Sequence, residues 1–229
     1  MKKINVTACL ICMTFGGAYA QKGFNVGLEG GYNMTFIVHQ ESYGATELDY
    51  ASTTGGAGGL VLGYNFDNHF GIQIDGAYDK QGQNYTRVKT NEPTMYRQVN
   101  LFYSHIPLMF KYSGGSQYPT RFYIMAGPQY SILNRAVINH TNDPNDYSLA
   151  AQDRFVSRTW DIVFELGAEV TLYKGWYANA GLRFNYGLND INAPAYRMPN
   201  SNGIYNPSYN AFGGVVIGIH YVFGYNNKE

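Results

Sequence analysis

The chain has 229 residues, with 27 Gly, 22 Tyr and 13 Phe against 8 Pro, and only 14% of it is charged. Acids and bases balance to a formal charge of +0, which leaves no electrostatic case for nucleic acid as a partner. Mean hydropathy is −0.29 and no run of about 18 apolar residues occurs after residue 20, which excludes a helical membrane span.

Residues 1–20 read as an export signal. Lys2 and Lys3 give a positive start, an apolar stretch runs to about Phe15, and Ala18-Tyr19-Ala20 precedes Gln21 in an A-x-A pattern. The apolar run is too short to span, and the part before Cys9 is too short for a lipidation signal. The expected mature domain is 21–229. Cys9 and Cys12 both fall in the leader, so that domain has no thiol chemistry. Losing the two lysines takes its charge to −2.

Eight long segments then alternate with period two. The first, Gly23 to Val38, sets Phe24, Val26, Leu28, Tyr32, Met34 and Phe36 against Asn25, Glu29, Asn33 and Thr35. The second, about Thr54 to Phe66, opens with GGAGG and continues through Leu60, Leu62 and Tyr64. The third, about His69 to Tyr85, places Ile72, Ile74 and Tyr78 opposite Gln73, Asp75 and Asp79. The fourth, about Arg97 to Tyr112, opposes Ile106, Leu108 and Phe110 to Tyr103, His105 and Lys111. The fifth, about Thr120 to Leu133, opposes Phe122, Ile124 and Tyr130 to Arg121, Tyr123, Gln129 and Ser131. The sixth, about Arg158 to Tyr173, alternates Trp160, Ile162, Phe164 and Leu166 with Asp161, Glu165 and Glu169. The seventh, Trp176 to Asp190, keeps Leu182, Phe184 and Tyr186 on one face with Arg183 on the other. The eighth, about Tyr209 to Tyr225, carries His220, Gly214 and Gly218 on its inner face.

Sandwich strands usually run five or six residues; these run to roughly fifteen, more than the ~9–11 that a bilayer requires. Short links alternate strictly with long ones. Asp67-Asn68, SGGSQYP and Lys174-Gly175 are short; about 41–53, 86–96, 134–157 and 191–208 are long. That is the rhythm of an outer-membrane barrel, with short periplasmic turns and long external loops. The expected fold is all-β: an eight-stranded antiparallel transmembrane β-barrel in the cell outer membrane.

Hydrocarbon offers backbone N–H and C=O groups no water, so only a closed sheet satisfies them. One face then meets lipid and the other fills the lumen, which in an eight-stranded barrel is just wide enough for side chains. The polar face is expected to bury a charge network in which Lys111, Arg121 and Arg183 meet Glu29, Asp75, Asp79, Asp161, Glu165 and Glu169. Buried charges are tolerable when paired. Tyr64, Tyr112, Tyr173, Trp176 and Tyr225 are expected at the turn-side membrane boundary, and Tyr32, Tyr78, Tyr130, Trp160 and Tyr186 at the other. Pro107 and Pro128 each remove a ladder donor and are read as bulge or kink sites.

YSHIPLMFKY (103–112), FYIMAGPQYSIL (122–133) and FELGAEVTLYKGWYANAGLRFNYGLNDI (164–191), in that order, resemble the PorT-like outer-membrane β-barrel family of Bacteroidetes-type bacteria. The resemblance covers most of the mature chain and implies an eight-stranded outer-membrane barrel. Its namesake serves a protein secretion apparatus, which gives one reading of this chain as an accessory component. The resemblance brings no catalytic residues. Many such barrels end on an aromatic residue read by the insertion machinery; here that signal falls at Phe223 or Tyr225, ahead of a polar tail.

Chemistry elsewhere is thin. The histidines are His39 and His140 in expected loops, His69 at a turn, and His105 and His220 inside strands. No G-x-S-x-G, H-E-x-x-H or P-loop occurs. NDPND (142–146) reads as a turn before it reads as a cation site. The leading expectation is a structural or interaction barrel with a filled lumen, not an enzyme, with no cofactor or metal. The alternatives are a narrow transport channel and a lipid-modifying barrel enzyme. Its expected partners are outer-membrane lipids and lipopolysaccharide, the barrel-insertion machinery and other envelope proteins.

Overall fold

The computed structural model describes residues 22–38, 49–87, 94–114, 120–142, 145–199 and 202–223. The expected leader, the His39–Ser42 stretch and Tyr225 lie outside the described residues.

Nine strands form among the described residues: β1 (Gly23–Val38), β2 (Asp49–Asn65), β3 (Phe70–Arg87), β4 (Met95–Gly114), β5 (Thr120–Thr141), β6 (Tyr147–Ala150), β7 (Arg158–Tyr173), β8 (Trp176–Gly187) and β9 (Tyr209–Val222). Each long strand pairs antiparallel with its neighbours in sequence, and β5 pairs directly with β7. Closure comes from β1 against β9, in unbroken register from Asn25↔Val222 to Val38↔Tyr209. The eight long strands therefore make a ring without edges. The short β6 pairs with the far end of β5 and lies outside that ring.

Alternation decides which face is which. Leu28, Leu60, Ile74, Phe110, Ile162, Leu182 and Ile217 are exposed on the outer wall. Asn25, Gln73, Asp75, Lys111, Glu165, Glu169 and Asn179 are buried within. A soluble protein would place these sets the other way round. A barrel in lipid needs them so.

Two turns show why the short links work. At Lys174-Gly175 both residues have positive φ, 42° and 85°, as a two-residue hairpin turn requires; glycine takes the second at no steric cost. At the β2–β3 turn, Asp67 Oδ1 accepts from the amides of His69 (2.7 Å) and Phe70 (2.8 Å). These bonds, Phe70's first, hold its carboxyl below the usual 3.8.

Three expectations change. The linker placed at 134–157 instead holds the end of β5, the β5–β6 hairpin and a short 3-10 turn at Gln152–Arg154. His140 is therefore on a strand, stacked on Tyr147 at 4.3 Å. Asn142 and Asp146 of NDPND close the hairpin through a 3.0 Å bond from the Asn142 amide to Asp146 Oδ1. Neither proline marks a bulge: Pro107 faces Gln129 and Pro128 faces Ile162 without a change of count. In the β4–β5 pair the bulge lies at Asn134, where Tyr103↔Leu133 gives way to Phe102↔Arg135.

That inserted residue flips the strand. Below it, odd-numbered β5 residues point inward; above it, Ala136, Ile138 and His140 do. The barrel mouth consequently carries an apolar interior: Tyr85, Val99, Leu101, Tyr103, Leu133, Ala136 and Ile138 pack together. The loops add Phe155 and Ile191 to the same cluster, held by a bridge from Phe155 to Asn192 and the Val156 amide on Ile191 O at 2.8 Å. Each such large apolar side chain contributes about 1.5–3 kcal/mol on full burial.

Aromatic rings mark both ends of the lipid-facing band. Turn-side contacts include Tyr64–Phe66 (5.5 Å), Phe70–Tyr112 (5.3 Å) and Trp176–Tyr221 (5.2 Å). On the loop side are Tyr130–Trp160 (5.1 Å), Tyr78–Phe102 (6.4 Å) and Tyr186–Tyr209 (5.9 Å).

Candidate functional site

The lumen is built in layers from the inward positions of the eight strands. Nearest the short turns, Glu169 on β7 accepts from Lys111 on β4 and, at 2.9 Å, from Arg121 on β5. Arg121 also reaches back to Asn68 O at 3.1 Å, tying this layer to the β2–β3 turn. Lys111 lies over the Tyr123 and Tyr177 rings, 5.4 and 5.5 Å from their centroids. Tyr177 in turn stacks on His220 at 4.6 Å. Gly27 makes room for that imidazole, since a Cβ there would sit 2.2 Å from His220 Nδ1.

The second layer centres on Arg183 of β8. Its Nε meets Glu165 at 2.5 Å, and its Nη2 meets Glu29 at 2.9 Å and Asp75 at 3.1 Å. One guanidinium thus joins β1, β3, β7 and β8, and its planar fork of donors suits that task as a lysine would not. Tyr123 donates to Glu165 at 2.6 Å, and Asn179 donates to Glu29 at 3.0 Å. Gly181 leaves the space for the Tyr123 hydroxyl, which would lie 2.6 Å from a Cβ.

The third layer differs from expectation. Among the described residues, Asp79 and Asp161 meet neither lysine nor arginine. His105 Nε2 lies 2.7 Å from Asp79 Oδ1, and its Nδ1 lies 2.7 Å from Ser131 Oγ and 2.8 Å from Gln129 Nε2. Asp161 accepts from Ser131 and, at 3.0 Å, from Gln129. Imidazole, amide and hydroxyl donors complete this level.

Ser131, His105 and Asp79 stand in the order of a hydrolase triad, but the proton inventory is different. The Ser131 hydroxyl donates to Asp161, and Gln129 Nε2 lies 2.8 Å from the same His105 Nδ1 that Ser131 approaches. All three side chains are buried, and a nucleophile must hand its proton to its base and meet a substrate. The arrangement is a closed hydrogen-bond set. A space of about 40 Å³, bounded in part by Glu29, Asp75, Asp79, His105 and Arg183, has room for a few waters.

Alternation on the sequence identifies the inward faces, including those of Tyr123, His105, Gln129 and Ser131. It does not show that these neutral groups complete the acids' hydrogen bonds. Their inward parity is the available signal.

The model of the family described as outer membrane protein beta-barrel domain matches residues 19–193. The chain belongs to that family. This outer-membrane barrel resembles several solved structures: Neisserial surface protein A (TM-score 0.48, 16% identity, 89% of this chain and 99% of that one) and OprG from Pseudomonas aeruginosa (0.46, 16%, 90% and 97%). Ail of Yersinia pestis aligns at 0.38 with 9% identity over 87% and 99%. No curated protein matches the outer-membrane barrel in sequence. It resides in the outer membrane, with its apolar wall against lipid.

Proposed function

We propose that the protein is a closed, non-conducting barrel with a structural or interaction role in the envelope, its mature domain beginning near Gln21. The observation that carries this reading is the filled lumen. Three layers of paired or hydrogen-bonded polar groups lead to an apolar mouth packed with Leu101, Tyr103, Phe155 and Ile191. An ion would have to displace ion pairs and then cross hydrocarbon, each step costing several kcal/mol. The lumen charges serve here to pin strands together. Catalysis is no part of this reading, because the Ser131–His105–Asp79 arrangement is buried. Single-channel recording of the purified protein in planar bilayers tests it: no stable conductance step is expected, and a reproducible open level would overturn it.

A second reading rests on the resemblance of 103–112, 122–133 and 164–191 to the PorT-like family. On this reading the barrel is an accessory component of an outer-membrane protein secretion system. Crosslinking in intact cells, with identification of the attached proteins, tests it, and another envelope protein is the expected product. Phe223, exposed beside Phe24 at 5.9 Å, is the described residue suited to recognition by the insertion machinery.

A further inference from the structure

The loop-side edge of the lipid-facing wall carries a feature that the lumen does not explain. Tyr130 and Trp160 pair across β5 and β7 and close the apolar band there. One outward step beyond them, Arg158 faces out opposite Ile132. Arg158 is exposed and makes no ion pair with a described residue. Beside it opens a hollow of about 450 Å³ lined by Tyr130, Trp160, Arg158, Asn189, Asp190 and Arg197.

The hollow is charged but not self-neutralised. Asp190 is its acid, and it is already engaged. It takes Arg197 Nε at 2.9 Å, the Tyr205 hydroxyl at 2.6 Å, and the amides of Asn192 and Ser208 at 3.1 Å each. Arg197 is thereby fixed in place with its Nη groups still available, while Arg158 has no acid of its own among the described residues. The cationic row continues along the wall, where Lys80 and Arg135 pair with Phe102 from either side. Arg135 lies 5.8 Å over that ring.

We propose that this hollow docks a phosphorylated lipid of the outer leaflet. Its phosphate would bridge Arg158 and Arg197, and its acyl chains would lie along the wall below Tyr130 and Trp160. Arginine forks bind phosphate bidentately, and such charge-assisted bonds are the strong ones. Tyr130 and Trp160 line the hollow together with Arg158 and Arg197, so one occupant can touch the aromatic pair and the arginines together. A phosphate free in water would leave Tyr130 and Trp160 without a partner.

The full chain in detergent provides the test. Trp160 and Trp176 are its 2 tryptophans, so Trp176→Phe leaves Trp160 as the reporter on the hollow's wall. Fluorescence titration would compare a phosphorylated lipid A, the same lipid A with its phosphates removed, and inorganic phosphate. The phosphorylated form is expected to bind ~10-fold or more tightly than the dephosphorylated one. Arg158→Ala should remove that difference and leave the dephosphorylated lipid unchanged, with Arg158→Lys in between. Lys174→Ala, at the opposite end, should alter neither. Folding of each variant is checked by the heat-sensitive gel mobility of intact barrels. Equal binding of the two lipids, an unaltered preference in a folded Arg158→Ala variant, or competition by inorganic phosphate at the lipid's own concentration would each overturn the proposal.

Discussion

Arg183 and Glu165 occupy paired positions on β8 and β7, and inside the barrel the guanidinium Nε meets the carboxylate at 2.5 Å. The same guanidinium reaches Glu29 and Asp75 on strands β1 and β3. Its removal leaves three buried acids without their shared cation. Breaking one side of a buried pair costs about 3–5 kcal/mol. Arg183→Met should lower unfolding stability by about that amount, measured by urea titration of the barrel in lipid vesicles. Glu165→Gln in the same chain should recover part of it, because the two changes share one interaction. Strictly additive losses would show that the pair is not coupled.

Leu182 is Arg183's neighbour in sequence and points the other way, 44% exposed on the outer wall. Moving a cation by one residue should therefore reverse its effect. Leu182→Arg should cost about 2–4 kcal/mol in folding into a bilayer, whereas Leu182→Met should cost little. A nitroxide at 182 should report lipid, with accessibility to oxygen exceeding that to a water-soluble relaxant.

Deleting Asn134 and Arg135 together would remove the bulge and one ladder position, so that Ala136 follows the inward Leu133 directly. Ala136 and Ile138 would then turn outward, and Val137 and Asn139 inward. The apolar mouth should come apart while the ring within the membrane persists. Limited proteolysis should show new cleavage in 136–157, with the rest of the barrel remaining protected, whereas deletion of Asn134 alone, which keeps Ala136 and Ile138 inward, should not. Equal resistance of the double deletion and parent would show that the mouth does not depend on which face these residues take.

Asp67 gives a pH dependence outside the membrane. Its carboxyl titrates below 3.8 in the folded turn because the Phe70 and His69 amides stabilise the ionised form. A lowered folded value means that its contribution is complete above the unfolded value and is lost as pH falls through the folded one. The stability difference between the parent and Asp67→Ala should thus be constant above about pH 5 and shrink toward pH 2. Thermal unfolding across that range reads it; a gap that widens on acidification would contradict the sign.

Much of the architecture was legible because lipid enforces a strict period of two. Both ends of β1 and β7 coincide with the limits of alternation. What escaped has a local cause. The alternation of β5 breaks at Asn134-Arg135, so the strand reads as ending there, although a single inserted residue lets it run on to Thr141. The prolines misled because an inward Pro107 and an outward Pro128 remove donors without adding residues. In the lumen, charge alone could not pair Asp79 with His105, because their neighbourhood depends on stagger between strands and not on spacing within one.

The seam between β1 and β9 joins the earliest strand to the latest, from Asn25↔Val222 to Val38↔Tyr209. The junctions from β1–β2 to β7–β8 can form while the chain is still arriving; this one, like β8–β9, waits for Tyr209 through Val222. Until then the nascent sheet has two raw margins and a half-exposed ionic interior, a state that suits neither periplasm nor hydrocarbon. Completion of the cylinder therefore comes last, when the final strand meets the first.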